Sequence, residues 1–323
     1  MPQLIKLKNN TMNQHLNLES SAQSLHTMLD YVRWSVSRFN QAGLYFGHGT
    51  DNPWDEAVSL VLQVLHLPQN LPLQTGDQLF HSRLTLLEKQ ELFHLIQRRV
   101  EERIPVAYLT NQAWFCELPF FVDERVLIPR SPIGELIQNR FDAWLSFEPM
   151  SILDLCTGGG CIAVALAYAF ENAQIDAVDI SSEALDVAEI NINEHGLAER
   201  VFPIQSDLMT ALVGQQYDLI VCNPPYVDAE DMGDLPAEFH HEPELALAAG
   251  LDGLDLVDDI LRQAPEHLTE GGWLFVEVGN SEVHMPIKYP DLPITWVEFE
   301  RGGSGVFAIS KHDLVEYWRA VQL

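Results

Sequence analysis

Basic residues are scarce in this sequence. Its 323 residues include 18 lysines and arginines against 47 aspartates and glutamates, which gives a formal net charge of −29. Because a surface this acidic repels phosphate backbones, we expect no direct contact with DNA or RNA. Such a surface would attract a basic protein instead, although general solubility or a saline habitat explains the same charge equally well.

Paired cysteines and long apolar segments are also missing. The four cysteines show no Cys-x-x-Cys spacing, which favours a reduced, cytoplasmic environment. The longest uncharged stretch, residues 155–170, is too short and glycine-rich to span a bilayer, and residues 1–20 contain no apolar signal core. Adjacent His240 and His241 are poorly placed to share one ion. We therefore predict a cytoplasmic protein without a membrane segment and without a metal.

The length and the 47% apolar content suit two domains. Apolar residues recur at helical spacing near the start of the chain, and Asn52-Pro53 and Thr85 supply typical helix starts. From residue 150 onward strand patterns alternate with helical ones, which predicts an α/β fold with a doubly wound, mostly parallel sheet. The predicted order is a tail (1–19), a helical domain (20–105), a hairpin linker (106–129) and the α/β domain (130–323).

Seven segments have the apolar pattern of strands. The last two flank a glycine-rich turn and should form a hairpin, which would add an antiparallel strand. The predicted strands are Ser151–Leu155, Gln174–Val178, Val201–Gln205, Tyr217–Cys222, Gly272–Val278, Thr295–Glu300 and Val306–Ser310.

Asn223-Pro224-Pro225-Tyr226 comes directly after the fourth predicted strand. Because proline lacks an N–H and has a fixed φ, the chain must leave the sheet here in a defined shape. The Asn223 side chain and the Pro224 carbonyl then offer acceptors for the two N–H groups of a planar amide or exocyclic amine, with Tyr226 able to pack on its face. An ordinary strand-ending turn would also explain the tetrapeptide.

A glycine-rich turn, Cys156-Thr157-Gly158-Gly159-Gly160, separates the first predicted strand from an apolar helix. Glycines allow a ligand to approach the main chain, and the helix begins with free N–H groups. The spacing differs from the dinucleotide fingerprint, and it suits a nucleoside whose tail carries a carboxylate. A tight strand-to-helix connection without a ligand is the alternative.

Acidic residues follow the second and third predicted strands. Asp179 is placed to accept both ribose hydroxyls of a nucleoside, or else to cap the next helix. Asp207 and Leu208 suit the edge and the face of an adenine. Because strand ends converge at one edge of a doubly wound sheet, we expect one binding site there. Its predicted ligand-binding residues are Cys156, Thr157, Gly158, Gly160, Asp179, Asp207, Leu208 and Asn223.

The combination resembles the class I S-adenosylmethionine-dependent methyltransferases, and among them the protein glutamine-N5 methyltransferases. The similarity covers roughly residues 105–310. The resemblance implies the same doubly wound fold with one antiparallel strand, and S-adenosylmethionine as the cofactor bound at the strand ends. Besides the two loops it involves Pro105–Leu109, Phe121–Asp123, Leu127–Arg130, Glu242–Leu247 and Asp252–Asp255.

The resemblance also implies roles and a substrate. Asn223, Pro224 and Tyr226 would be catalytic, and Pro225 and Glu242 would join them in binding a glutamine side chain. One bacterial branch of the family methylates peptide-chain release factors and typically has Pro-Asp-Thr-Glu after the arginine. The residues from 131 to 135, Ser-Pro-Ile-Gly-Glu, are similar to the other branch, which methylates large-subunit ribosomal protein L-three. We therefore expect a basic ribosomal protein as partner, either free or during assembly.

Three alternatives stay open on the sequence. Release factors are the substrate of the sister branch. A DNA adenine-N6 methyltransferase would suit the same Asn-Pro-Pro-Tyr loop, but it needs a basic groove and room for a flipped base. A non-catalytic ribosome-assembly factor would bind the cofactor without needing the residues from 223 to 226.

Overall fold

The computed structural model describes residues 24–70 and 78–321, so the predicted tail 1–19 lies outside the described residues. The chain divides into two compact units, with the division between Asn111 and Gln112. This division falls inside the segment predicted as a hairpin linker.

The first unit is built from helices whose starts are encoded locally. Thr27 and Thr85 each accept a hydrogen bond from the backbone three residues on and complete a capping box, and the Asn52 side chain caps the helix that opens with Pro53. Among the described residues its helices are α1 (Met28–Ala42), α2 (Pro53–Val64), α3 (Leu86–Glu101) and α4 (Val106–Thr110).

An ion pair is buried among these helices. Arg99 Nε donates to Glu56 Oε1 at 2.7 Å, and Arg99 Nη2 donates to the Tyr45 carbonyl at 2.8 Å. The rings of Phe39 and Phe46 lie 6.0 and 5.9 Å from the guanidinium. Since each buried ion loses several kcal/mol of hydration, removing either partner should destabilise this unit more than an apolar truncation would.

The second unit contains a short hairpin and a seven-stranded sheet. The sheet order is β5-β4-β3-β6-β7-β9-β8, with β3 to β7 parallel and β9 antiparallel to both of its neighbours. The predicted doubly wound sheet with an antiparallel strand is confirmed. The hairpin is β1 (Ala113–Phe115) and β2 (Leu118–Phe120), and the sheet strands are β3 (Ser151–Leu155), β4 (Gln174–Asp179), β5 (Val201–Gln205), β6 (Tyr217–Cys222), β7 (Leu268–Glu277), β8 (Thr295–Trp296) and β9 (Val306–Ser310).

Three strands differ from their predicted lengths. β4 continues one residue beyond the predicted Val178, to Asp179. β7 begins four residues earlier than the apolar pattern, at Leu268, because it pairs there with Tyr217 of β6. β8 stops at Trp296 instead of Glu300. It is an edge strand with exposed side chains, so no packing extends it.

Helices cover both faces of the sheet. Successive strand residues point to opposite sides, so Ile152 and Leu153 belong to two different apolar cores. With both faces covered, the strand ends are the open edge of the sheet. The helices are α5 (Ile133–Gln138), α6 (Cys161–Ala169), α7 (Ser182–Glu194), α8 (Ala229–Asp234), α9 (Asp255–His267), α10 (Met285–Lys288) and α11 (Lys311–Val321), with 3-10 turns at Ala237–His241, Glu244–Ala246 and Gly279–His284. Within the described ranges, none of the helices combines the length and the apolar character needed to cross a membrane.

Candidate active site

A cavity opens at the carboxyl ends of β3, β4 and β6. Eight predicted site residues line it, and four do not: Gly160, Pro224, Tyr226 and Glu242. The parallel strands therefore bring together side chains that are far apart in the sequence. The predicted residues in the lining are Cys156, Thr157, Gly158, Asp179, Asp207, Leu208, Asn223 and Pro225.

The glycine-rich loop is held on its buried side by a carboxylate. Asp154 Oδ2 accepts hydrogen bonds from Thr157 Oγ1 at 2.5 Å and from the Ala163 backbone N–H at 3.0 Å, which joins the loop to the first turn of α6. The other oxygen, Oδ1, is buried and has no hydrogen-bond partner in the described part of the chain. Burial raises the pKa of Asp154 to about 7, although its two hydrogen bonds act in the opposite direction.

Gly160 lies against a helix and not against the cavity. Its φ of 79° is in the left-handed region, and a Cβ at this position would come within 3.1 Å of the Ala188 Cβ on α7. A side chain here would therefore push α7 away from the loop. The structure thus places Gly160 in helix packing, where the sequence predicted contact with the cofactor.

Asn191 supports the glycine-rich loop from a position that was not predicted. From α7 its Nδ2 donates to the Gly159 carbonyl at 2.8 Å and to the Phe121 carbonyl at 3.1 Å, and its Oδ1 accepts from the Phe121 N–H at 2.7 Å. The side chain is buried. The sequence does contain a signal for this role. Asn191 is a polar residue on the apolar side of a predicted helix, and a buried polar group needs hydrogen-bond partners.

Asp179 is oriented by two backbone donors. Gly158 N donates to Oδ2 at 2.8 Å, and Ser181 N donates to Oδ1 at 2.9 Å. The helix α7 is capped by Ser181, whose Oγ accepts from Ala184 N at 3.2 Å. Burial raises the pKa of Asp179, and the backbone hydrogen bonds oppose that shift. Each carboxylate oxygen keeps a further lone pair for a ligand in the cavity it lines.

The loop after β6 is shared between the cavity and the interior. Asn223 and Pro225 line the cavity, whereas Pro224 is buried. Tyr226 is turned towards the end of β7, where its hydroxyl donates to Glu277 Oε1 at 2.9 Å. Burial raises the pKa of Tyr226 well above its usual range, so this hydroxyl keeps its proton.

Glu242 binds another part of the protein. Its carboxylate accepts from Arg130 Nη1 at 2.6 Å, from Arg130 Nη2 at 2.8 Å and from the Ile128 N–H at 3.0 Å. The Arg130 guanidinium also lies 5.4 Å from the centre of the Phe239 ring. Arg130 and Pro243 line the cavity, and Glu242 does not. Glu242 therefore joins two cavity walls, although the sequence placed it in contact with substrate.

Comparison with known proteins supports an assignment. The family model described as "Methyltransferase small domain" matches residues 145–250. A "Ribosomal protein uL3 glutamine methyltransferase" of Neisseria gonorrhoeae is 49% identical over 297 residues, which cover 91% of this chain and 98% of that protein. A protein with the same name from Francisella tularensis subsp. tularensis is 47% identical over 296 residues, which cover 91% of this chain and 93% of that protein. This chain belongs to the uL3 glutamine methyltransferase family.

The protein uL3 is large-subunit ribosomal protein L-three, so the family predicted from the motifs is confirmed. S-adenosylmethionine as the methyl donor is confirmed with it. Among solved structures, the hMettl16 catalytic domain in complex with MAT2A 3'UTR hairpin 6 has a TM-score of 0.47 at 16% identity. That match covers 69% of this chain and 80% of the other, and it is too loose to bear on function.

The cavity of this uL3 glutamine methyltransferase family member fits S-adenosylmethionine. The space around Gly158 is open, since a Cβ there would meet nothing within 4 Å, so the main chain is accessible to the amino-acid tail. Asp179 has lone pairs left for the ribose hydroxyls. Ile180, which is 52% exposed, and Leu208 offer apolar contacts to an adenine, and Asp207 offers an acceptor for its amine.

The Asp154→Asn substitution should remove a pH dependence of stability. The folded-state pKa of about 7 lies above the usual value of 3.8, so the neutral acid is favoured by folding. That stabilisation is complete below the usual pKa and is lost as the pH rises through about 7. We expect the Tm of the wild type to fall relative to the variant between about pH 5 and about pH 8.

Thermal unfolding followed across this pH range checks the expectation. Glu183→Gln, an exposed acid in the first turn of α7, is the matched control and should leave the wild-type profile unchanged. Parallel profiles for wild type and Asp154→Asn would show that Asp154 titrates normally.

The Asp179→Ala substitution should weaken S-adenosylmethionine binding. It removes the carboxylate assigned to the ribose hydroxyls, and a hydrogen bond to a charged group is worth about 1.5–3 kcal/mol. Isothermal titration calorimetry measures the loss of affinity. Glu183→Ala removes an acid nearby, outside the cavity lining, and should bind normally. Unchanged affinity in a folded Asp179→Ala protein would remove Asp179 from the site.

Proposed function

We propose that this protein transfers a methyl group from S-adenosylmethionine to the side-chain nitrogen of a glutamine in ribosomal protein uL3. The observation that carries the proposal is the position of Asn223, which lines the same cavity as Asp179. An amide-binding group is thereby adjacent to the cofactor pocket. The choice of glutamine and of uL3 is supported by the two relatives that are named for this reaction.

The main task of the site is to hold the substrate amide. A glutamine nitrogen is a weak nucleophile, because its lone pair is delocalised into the carbonyl. Asn223 Oδ1 and the Pro224 carbonyl accept one amide N–H each, and together they direct the nitrogen towards the cofactor cavity. Positioning of this kind lowers a barrier by up to about 7–11 kcal/mol.

The same two acceptors oppose the charge that develops. S-adenosylmethionine supplies an electrophilic methyl group carried by a positively charged sulfur. As the nitrogen acquires positive charge, Asn223 and Pro224 present partial negative charge to its N–H groups. The locked φ of Pro224 and Pro225 holds these oxygens in place before the substrate arrives. The methylated nitrogen then loses a proton readily to water, so the site needs no dedicated base.

Tyr226 completes the amide pocket. In this proposal its ring packs against the plane of the glutamine amide and keeps water away from the nitrogen. A ring with a free hydroxyl would reorient easily, but here the hydroxyl is already bonded to Glu277.

The charge of the protein supports a basic partner. Between Arg200 and Arg262 the chain has no lysine or arginine, and this segment contains Asn223 and the cavity wall from Pro243 to Ala246. A ribosomal protein that binds RNA is basic and would be attracted to such a surface. Its glutamine must enter the cavity with flanking backbone, so we place the reaction on free or assembling uL3. The four cysteines are free thiols, in keeping with a reduced cytoplasm.

The Asn223→Ala substitution should abolish most turnover and preserve much of the cofactor affinity. Its main partner is the substrate amide, and a lost transition-state contact lowers kcat more than it raises KM. Steady-state kinetics on uL3 and calorimetry with S-adenosylmethionine measure the two effects separately. Asn193→Ala, on the exposed side of α7, is the control for the same change of residue. A near-wild-type rate would reduce Asn223 to a turn residue.

The substrate is tested with labelled S-adenosylmethionine and three acceptors: free uL3, a release factor and mature ribosomes. We expect one methyl group on a uL3 glutamine by mass spectrometry, little label on ribosomes, and none with the Asn223→Ala enzyme. The rate should fall as salt rises, because attraction between unlike charges is screened beyond about 8 Å at physiological ionic strength. A methylated release factor together with unmodified uL3 would overturn the proposed substrate.

A further inference from the structure

Glu277 is a buried acid to which neither the motifs nor the cavity assigns a role. It is the last residue of β7 and is only 4% exposed. Its two oxygens contact different parts of the site. Oε1 accepts from the Tyr226 hydroxyl at 2.9 Å, and Oε2 accepts from Ser131 Oγ.

The backbone around Glu277 is firmly held. Glu277 pairs with Val306 of β9, and Val278 N then donates to the Gly305 carbonyl at 2.6 Å. Side chains on the end of a central strand move less than side chains on a loop. The carboxylate is therefore a fixed acceptor that can set the positions of the Tyr226 and Ser131 side chains bonded to it.

Contacts also hold the backbone and the ring of Tyr226, in addition to its hydroxyl. Its backbone carbonyl accepts from Ser281 Oγ at 2.8 Å. A Cβ on Gly279, where φ is 46°, would lie 2.5 Å from the tyrosine ring, so only glycine lets the ring lie this close to the chain after β7. The hydrogen bond from the hydroxyl to Glu277 then fixes the direction in which the ring points.

Ser131 connects the same carboxylate to the cavity. It lines the cavity, and its Oγ accepts from Ile133 N at 3.2 Å at the start of α5. The preceding residue is the Arg130 that Glu242 holds. Tyr226 of the Asn-Pro-Pro-Tyr loop and Ser131 of the cavity wall therefore donate to the same carboxylate, that of Glu277.

Keeping a charged group in this position is costly. Burial raises the pKa of Glu277, and the hydrogen bonds from Ser131 and Tyr226 together with the Arg130 charge act against that shift. An apolar residue of similar size would fill the space at less cost in free energy. The carboxylate is thus better explained by what it orients than by what it stabilises.

We propose that Glu277 is a positioning residue for methyl transfer, which fixes the Tyr226 ring against the substrate amide and holds it in register with the Ser131 wall of the cavity. The inference rests on the proposed function, since it assumes that Tyr226 packs on a glutamine amide. Neither Tyr226 nor Glu277 lines the cofactor cavity. Loss of the hydrogen bond between Tyr226 and Glu277 should therefore lower kcat and leave cofactor binding nearly unchanged.

Four variants test the inference on the full-length protein. Glu277→Leu removes the acceptor, whereas Glu277→Gln keeps an acceptor oxygen for Tyr226 and a donor for Ser131. Tyr226→Phe removes only the hydroxyl. Glu270→Gln changes an exposed acid on the same strand and is the matched control.

We expect Glu277→Leu and Tyr226→Phe each to lower kcat on uL3 by about 10- to 100-fold, the range of one hydrogen bond to a charged group. The Kd for S-adenosylmethionine should stay within about twofold of wild type. Combining the two substitutions should cost no more than Glu277→Leu alone, because Glu277→Leu already breaks the one bond that Tyr226→Phe removes. Glu277→Gln should recover most of the rate.

Several outcomes would overturn the inference. They are an unchanged kcat in Tyr226→Phe, a parallel loss of kcat and cofactor affinity, and additive effects in the double variant. If Glu277→Leu does not fold, Tyr226→Phe and Glu277→Gln still decide, since the first must slow the reaction and the second must not.

Hydrogen exchange separates this inference from the proposed function. The Val227 amide, which donates to the Leu247 carbonyl at 2.8 Å, should lose protection in Tyr226→Phe and keep it in Glu277→Gln and Glu270→Gln. A wild-type protein that fails to methylate uL3 would refute the function. Unchanged protection at Val227 in Tyr226→Phe would refute the positioning role whatever the substrate is.

Discussion

The site depends on the parallel pairing of β3 with both β4 and β6. Leu155 pairs with Val178 on one side and with Cys222 on the other. The residues that directly follow these three are Cys156, Asp179 and Asn223. All three line one cavity. A slip of one residue would turn these side chains to the opposite face, and the apolar cores on both sides of the sheet forbid that slip.

Buried acids around this edge are compensated in different ways, and the difference follows their position. Asp154 accepts two hydrogen bonds on one oxygen, and its other oxygen has no partner among the described residues; burial raises its pKa to about 7 in spite of the two bonds. Glu242 has a guanidinium and a backbone N–H, so it serves as an ionic link between cavity walls. Asp179 and Glu277 are intermediate, since burial raises the pKa of each and their hydrogen bonds act against that shift. Desolvation of this kind costs stability, which proteins accept where orientation matters for function.

Some features could be predicted from the sequence with good accuracy. The strands β3, β5, β6 and β9 have their predicted bounds, since apolar runs bounded by turns are local signals. Edge strand β8 is shorter than predicted, because its length depends on a neighbour and not on its own pattern. Gly160 and Glu242 belong to recognisable motifs, yet membership of a motif does not say which neighbour a residue contacts. Asn191 and Glu277 lie outside the motifs, and their roles come from contacts 70 and 146 residues away in the chain.

The sequence by itself determined the order of strands and helices, the two loops that follow β3 and β6, and the family to which the chain belongs. These depend on periodicity, on proline and glycine, and on residues adjacent in the chain. Tertiary structure alone decided that Gly160 packs against α7, that Glu242 holds Arg130, and that Glu277 joins Tyr226 to Ser131. The physical reason is that a side chain's hydrogen bonds depend on which strands become neighbours. That arrangement is set by burial of apolar surface over the whole sheet, and no short segment contains it.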